Sequence, residues 1–164
     1  MKAWFCHNPV GVDALQWQEV PTPQPQAGQV LLQVKAASLN FPDLLIVQNK
    51  YQFKPALPFV PGSEFAGVVE SVGEGVTRVK VGDRVAAMAG TGGFGSHAIV
   101  PAEKLVPLPP GMSFEQGAAF LMTYGTSQHA LLDRGALKAG ETVLVLGGPV
   151  GHEEGSALLE AHAR

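Results

Sequence analysis

A period-two pattern marks the first clear element of the chain, because every second position from Val30 to Ala36 is apolar and Gln33 and Lys35 lie between them. This alternation predicts a strand with one face favoured for burial. Short apolar runs at residues 2–6, 65–72, 84–88 and 96–100 predict further strands, and glycines 73, 75, 82, 90, 92, 93 and 95 mark turns between them. The first part of the chain is therefore predicted to be a mostly β, barrel-like unit.

One short helix is predicted to interrupt these strands. Asn40 suits the N-cap, and Pro42 falls in the first turn, where its missing N–H does no harm. Asp43 places a negative charge at the same helix start, which the helix dipole favours. The apolar stretch at residues 44–47 continues the helix.

The pattern becomes helical from Ser113, which has a capping-box spacing to Gln116. Gly117 and Gly125 are expected to weaken this helix or split it in two. Residues 142–146 are apolar and β-branched, as in a buried parallel strand, and a glycine-rich turn follows them. We therefore predict a domain over residues 1–125 and the start of a second over residues 126–164.

Composition narrows the classes of function. Hydrophobic residues make up 46% of the chain and charged residues 15%, which favours a folded core over disorder. The net charge of -3 and the lack of a basic run argue against nucleic acid as a partner. The N-terminus lacks the apolar core of a signal peptide and no apolar run suits a membrane span, so we expect a cytoplasmic protein without a membrane partner.

Several segments together resemble one family. They are LNFPDLL, PFVPGSEFAGVVESVGEGV, VGDRVAAM, GGFGSHAIVPAEKL, LPPGMSFEQGAAF, YGTSQHALL and GETVLVLGG, in this order over roughly residues 1–148. The chain resembles the medium-chain dehydrogenase/reductase superfamily, and within it the zinc-free quinone oxidoreductase branch of zeta-crystallin-like proteins. The resemblance implies a GroES-like (chaperonin-10-like) barrel as the catalytic domain, followed by an incomplete Rossmann α/β fragment.

Two positions distinguish this chain from zinc-dependent relatives, which are similar but place a cysteine at the position of Asn40 and a histidine at that of Ser63. Zinc prefers thiolate, imidazole or carboxylate ligands, and an amide and a hydroxyl are poor substitutes. Cys6 is the only cysteine, so a multi-cysteine structural zinc loop is also excluded. We therefore expect no zinc, and a zinc alcohol dehydrogenase is the least favoured function.

Without zinc, hydride transfer to an electron-poor acceptor remains accessible, because it requires no metal-acidified alcohol. The resemblance implies NADPH-dependent reduction of a small molecule, either a quinone or an α,β-unsaturated carbonyl compound. It also allows a homo-oligomer, since similar proteins dimerise through their nucleotide-binding domain.

The resemblance implies site roles for Asn40, Tyr51 and Thr126, and each has a structural alternative. Asn40, Tyr51 and Thr126 match catalytic-site positions, and Asn40 and Thr126 also match positions beside the nicotinamide. Asn40 is equally expected to be a helix cap alone, Tyr51 an exposed turn residue, and Thr126 an ordinary helix residue. Glu64 is expected to be a buried, paired structural carboxylate rather than a catalytic one.

The cofactor-binding glycines would be Gly147, Gly148 and Gly151, where GGPVG is shorter than the usual glycine-rich turn. About two dozen residues follow Gly140, whereas a βαβ unit takes roughly 30. Glu153 and Glu154 would lie near the start of the helix that should follow this turn, where their negative charges oppose the phosphate that a helix N-terminus attracts. We therefore expect a truncated nucleotide-binding domain and weak NADPH binding by this polypeptide alone.

A second function comes from a different class. A GroES-like domain without a complete cofactor site is expected to act as a non-catalytic folding or interaction module. Cofactor binding distinguishes this alternative from the reductase.

Overall fold

The computed structural model describes residues 1–146 and 156–160. The chain divides into two compact units, Met1–Tyr124 and Gly125–Arg164. Within the described residues, the first unit contains seven strands and the second contains two.

The strands of the first unit are β1 (Lys2–Cys6), β2 (Leu15–Glu19), β3 (Gln29–Ser38), β4 (Glu64–Val72), β5 (Arg84–Met88), β6 (His97–Pro101) and β7 (Leu105–Pro107). They form an antiparallel five-stranded sheet with the strand order β6-β3-β4-β5-β7, and a two-stranded pair of β1 and β2. Single turns of 3₁₀ helix lie at Val12–Ala14 and Ala102–Lys104. The prediction of a mostly β unit is confirmed.

The apolar runs predicted five of these strands within one to two residues of their bounds, and two strands were missed. Strand β2 has the sequence LQWQE, in which three of the five residues are polar. Its Trp17 is 55% exposed even though it pairs with Trp4. The other missed strand, β7, is only three residues long and ends in a proline. Both strands take their pairing from a neighbour rather than from an apolar pattern of their own.

The main core lies on one face of the sheet, where alternate residues of the central strands meet. Its fully buried members are Val30, Leu32, Phe65, Val69, Val85, Ala87 and Val100. On the opposite face, Ala66, Ala86 and Ala118 pack helix α2 (Phe114–Ala118) against the sheet. Small alanine side chains allow this helix to approach the strands closely.

The local helix signals are confirmed. Helix α1 spans Phe41–Val47 with Asn40 at its N-cap, and it packs on Cys6 and Phe59 through Ile46 and Val47. The Ser113 hydroxyl accepts a hydrogen bond from the Gln116 N–H, and the Gln116 side chain accepts one from the Ser113 N–H. The following helix is divided, as expected, into α2 and α3 (Leu121–Gln128), but the break falls at residues 119–120, and Gly117 and Gly125 both lie inside the helices. A π-helical turn at His129–Arg134 follows.

Strands β3 and β4 approach unusually closely at Gly67. A Cβ atom there would lie 2.2 Å from the backbone oxygen of Gln33, so only glycine fits. Gly67 pairs with Val34, and the register shifts between Val34 and Ala36 immediately afterwards. This β-bulge turns the end of β3, so that Ser38 and Asn40 reach the start of β4.

In the second unit, strand β8 (Thr142–Leu146) lies where the sequence predicted it, but the expectation of a buried parallel strand is wrong. It pairs antiparallel with β9 (Ser156–Glu160), and Leu144 is 57% exposed. Only residues 147–155 separate the two strands, whereas a parallel crossover needs about a dozen or more residues. Across residues 1–146 and 156–160, no helix combines the length and the apolar character needed to cross a bilayer.

The substitution Gly67→Ala is expected to lower the free energy of unfolding by roughly 1–3 kcal/mol, because the added methyl group forces β3 and β4 apart. Gly125→Ala is the matched control, because its Cβ would meet no atom within 4 Å and lies in helix α3. This control is expected to raise stability by up to about 1 kcal/mol. Urea titration of both variants measures the difference, and equal stabilities would contradict the close approach at Gly67.

The thiol of Cys6 is expected to react slowly in the native protein. Burial raises its pKa, and a hydrogen bond from the backbone of Asn8 only partly opposes this effect. Because the thiolate is the reactive form, we expect iodoacetamide labelling at pH 8 to be roughly a hundredfold or more slower than in guanidinium chloride. Mass spectrometry of timed samples measures both rates, and comparable rates would show that the β1 end opens readily.

Candidate active site

The site begins where helix α1 starts, because Asp43 closes this helix end with its side chain. The backbone N–H of Asn40 donates to Asp43 Oδ2 at 2.9 Å, and the N–H of Asp43 donates to the Asn40 carbonyl at 3.0 Å. Asp43 is only 4% exposed. The prediction of Asp43 as a helix-start carboxylate is therefore confirmed.

Ser63 donates hydrogen bonds to the other oxygen of the Asp43 carboxylate. Its backbone N–H donates to Asp43 Oδ1 at 2.9 Å, and its hydroxyl donates to the same oxygen. Asp43 thus accepts three hydrogen bonds, two of them from a residue that lies 20 positions away in sequence. These bonds fix the loop before β4 onto the start of α1.

Glu64 forms a second buried carboxylate directly beside the first. It has no exposed surface, and its Oε2 accepts from the Ser38 hydroxyl at 2.8 Å and from Asn40 Nδ2 at 3.1 Å. Its Oε1 accepts from the backbone N–H of Met122 at 3.0 Å. Because that N–H lies in the first turn of α3, the carboxylate satisfies a helix end that has no partner within the helix.

These contacts decide what Asn40 offers to a ligand. Its Nδ2 group donates to both Glu64 and Ser38, the latter at 2.9 Å. The amide is therefore oriented with its hydrogens towards the protein, and Oδ1 is the atom with capacity left for a ligand. Asn40 is suited to accept a hydrogen bond from a hydroxyl or amide, and it is unsuited to stabilise a developing oxyanion.

The same contacts bear on metal binding. The oxygens of Asp43 and Glu64 face N–H and O–H donors, and Ser63 and Asn40 direct their hydrogens at these carboxylates. Within residues 1–146 and 156–160, no three histidine, cysteine, aspartate or glutamate side chains come together as a metal site.

Tyr51 lies in the wall of a cleft of about 320 Å³, which we call the Tyr51 cleft. The residues that line it are Pro42, Ile46, Tyr51, Phe53, Ser63, Met88, Ala89, Gly90, Lys104 and Met122. Its walls are mainly apolar and aromatic, with a few polar groups, as in ligand sites generally. No described residue forms a hydrogen bond with the Tyr51 hydroxyl, so this group is free to meet a ligand.

Asn40 lies in the wall of a different and larger cavity. This groove has a volume of about 850 Å³, and its walls include Trp4, Trp17, Phe41 and Phe94. Helix α1 contributes side chains to both cavities, Phe41 to the groove and Pro42 to the Tyr51 cleft. The structure therefore brings Asn40 next to Glu64, and within the described residues Asn40 lines the groove whereas Tyr51 lines the Tyr51 cleft.

The remaining predicted site residues belong to the second unit. Thr126 lies in helix α3, on the part that falls within Gly125–Arg164, and its side chain is exposed. Gly147, Gly148 and Gly151 lie outside the described residues. The roles suggested for these four residues stay predictions.

Sequence reasoning missed three residues that build the site. Ser38 and Met122 complete the bonds to Glu64, and Lys104 lines the Tyr51 cleft. Ser38 carried a weak signal, because it lies two residues before Asn40 and so on the same side of an extended chain. Met122 and Lys104 reach the site only through tertiary folding, and nothing near them in sequence indicated it.

The substitution Glu64→Gln is expected to lower the free energy of unfolding by roughly 1–3 kcal/mol. An amide has one oxygen, so its N–H₂ group must face either the Met122 N–H or the Ser38 and Asn40 donors. Glu74→Gln, at an exposed glutamate, is the control and is expected to change stability by less than about 0.5 kcal/mol. Thermal unfolding followed by circular dichroism compares the two, and equal losses would show that Glu64 is not a structural anchor.

Comparison with known proteins identifies relatives of this chain. The chain is 42% identical to rat (Rattus norvegicus) quinone oxidoreductase over 139 residues, which is 84% of this chain and 42% of that protein. It is 43% identical to the rat synaptic vesicle membrane protein VAT-1 homolog over 137 residues, 82% of this chain and 34% of that protein. The chain thus spans less than half the length of these curated relatives.

A solved structure, that of Escherichia coli quinone oxidoreductase complexed with NADPH, superposes with a TM-score of 0.74 at 33% identity. It covers 85% of this chain, which corresponds to 42% of the E. coli protein. The alcohol dehydrogenase GroES-like domain family matches residues 26–110, which contain α1, Tyr51, Ser63 and Glu64. The resemblance to quinone oxidoreductases and the GroES-like fold are confirmed, and the chain belongs to the alcohol dehydrogenase GroES-like domain family of the medium-chain dehydrogenase/reductase superfamily.

Proposed function

We propose that the protein is a zinc-independent, NADPH-dependent reductase of quinones or α,β-unsaturated carbonyl compounds, and that the first unit supplies the acceptor side of its site. The observation that carries this proposal is the Tyr51 cleft, a mainly apolar space lined by a tyrosine whose hydroxyl has no hydrogen-bond partner among the described residues. The solved quinone oxidoreductase complex with NADPH supports the choice of cofactor.

The chemistry that NADPH supplies when bound is donation of a hydride to an electron-poor carbon. Negative charge then develops on the acceptor oxygen, and a positioned hydrogen-bond donor lowers the barrier. Tyr51 is suited to be that donor, and it can pass its proton to the oxyanion and recover one from water. Phe53, Met88 and Met122 provide apolar surface for the flat ring of a quinone.

Asn40 and Thr126 are proposed to contact the nicotinamide side of the cofactor, and Gly147, Gly148 and Gly151 its pyrophosphate. For Asn40 the fit is chemical, because its Oδ1 can accept a hydrogen bond from a ribose hydroxyl while Glu64 and Ser38 hold its Nδ2. Glu64 is thus a positioning residue, since it acts through Asn40.

The proposal of zinc independence rests on the hydrogen bonds that Asp43 and Glu64 accept. A metal at this position would need lone pairs that now accept hydrogen bonds from Ser63, Asn40 and Ser38. A hydroxyl and an amide are also weak zinc ligands.

The test is an NADPH titration of the 164-residue chain, followed by nicotinamide fluorescence, together with NADPH oxidation in the presence of 9,10-phenanthrenequinone. We expect saturable but weak, submillimolar binding and quinone-dependent oxidation that persists after treatment with EDTA. No binding and no oxidation at millimolar NADPH, by a chain shown to be folded, would favour the non-catalytic interaction module instead. Activity that depends on added zinc would contradict zinc independence.

Tyr51→Phe is expected to lower kcat/KM for the quinone by roughly ten- to a hundredfold, because it removes a donor to the developing oxyanion. Tyr124→Phe is the matched control, because Tyr124 is the other tyrosine of the chain, is 66% exposed, and stacks on Phe120 outside the cleft. Initial rates of NADPH oxidation measure both variants. Equal rates for Tyr51→Phe and wild type would assign the donor role to another group.

A further inference from the structure

The charge of the Tyr51 cleft is set by one residue. Of the side chains that line it, all of them within the described first unit, only Lys104 carries a formal charge at neutral pH. The carboxylates of Asp43 and Glu64 bond to the lining residues Ser63 and Met122, but both are buried, each accepts three hydrogen bonds, and neither forms an ion pair with Lys104. The cleft therefore presents a single positive charge beside a phenol and an apolar wall.

Lys104 keeps this charge available. It lies at the end of the 3₁₀ turn before β7, and the pairing of Leu105 with Ala87 places it next to Met88 in the cleft wall. Its side chain is exposed, and none of the ion pairs within the described part of the chain involves it. An unpaired ammonium at the rim of an apolar cleft attracts an anionic group on a bound molecule.

We propose that Lys104 is a specificity-determining residue, and that the natural acceptor carries an anionic substituent, a carboxylate or a sulfonate, next to its electron-poor ring or double bond. This inference rests on the proposed function of the Tyr51 cleft as the acceptor site. In the acceptor site, Tyr51 donates a hydrogen bond to the oxygen that gains negative charge, the apolar side chains contact the ring, and Lys104 forms an ion pair with the anionic substituent. The reduction itself is unchanged, since the anionic group takes no part in hydride transfer.

The size of the effect is limited by the exposure of Lys104. An ion pair at a solvent-exposed site contributes about 0.2–1 kcal/mol, which corresponds to a preference of up to roughly fivefold for the anionic compound. Because salt screens exposed charges, this preference is expected to shrink at about 1 M salt, where the screening length is about 3 Å.

The experiment compares two redox compounds that share one ring system, 9,10-anthraquinone-2-sulfonate and the neutral 2-(hydroxymethyl)anthraquinone. Their dissociation constants for the 164-residue chain are measured by equilibrium dialysis, so the result does not depend on turnover. Lys104→Gln removes the proposed charge, and Lys80→Gln is the matched control, because Lys80 is exposed and lines neither the Tyr51 cleft nor the groove. Circular dichroism confirms that each variant is folded.

We expect wild type and Lys80→Gln to bind the sulfonate about 1.4- to fivefold more tightly than the neutral compound, and Lys104→Gln to bind both equally. Equal binding of both compounds by wild type, or a preference that survives in Lys104→Gln, would overturn the role of Lys104. Neither result would contradict the proposal that the Tyr51 cleft is the acceptor site. If neither compound binds to wild type, the proposed acceptor site fails, and the inference fails with it.

Discussion

The carboxylate of Glu64 is the contact on which the arrangement of the site depends. A carboxylate without exposed surface costs several kcal/mol to bury unless donors surround it. Here the donors come from three places, the end of β3 through Ser38, the start of α1 through Asn40, and the first turn of α3 through Met122. Each element is held in position because moving it would leave the buried charge short of a partner.

This constraint begins with the backbone of the sheet. Gly67 lets β3 and β4 approach closely, and the shift in register beside it turns Ser38 and Asn40 towards Glu64. Asp43 then anchors the other side of α1 to Ser63. The start of this helix is therefore fixed to the sheet, and the helix contributes residues to the walls of both the groove and the Tyr51 cleft.

The predictable parts of this structure are those whose physics is local. Asn40 with Asp43, and Ser113 with Gln116, interact over three residues, so their spacing alone indicates a helix start. The bond from Met122 to Glu64 spans 58 residues, and no local pattern signals it. The same limit explains why Lys104 was missed and why β8 was expected to pair in parallel, since the direction of pairing is set by the connecting segment and the partner strand rather than by the residues of β8.

The two buried carboxylates also constrain which sequences this site can reach by mutation. A cysteine in place of Asn40 would deprive Glu64 of a donor, and a histidine in place of Ser63 would remove the hydroxyl that Asp43 accepts. Each change alone is therefore destabilising, and a metal would compensate only when both are present. Such a dependence is sign epistasis: because each single change breaks a hydrogen bond to a buried carboxylate, a metal-binding site is harder to reach by single mutations here than the residue types alone suggest.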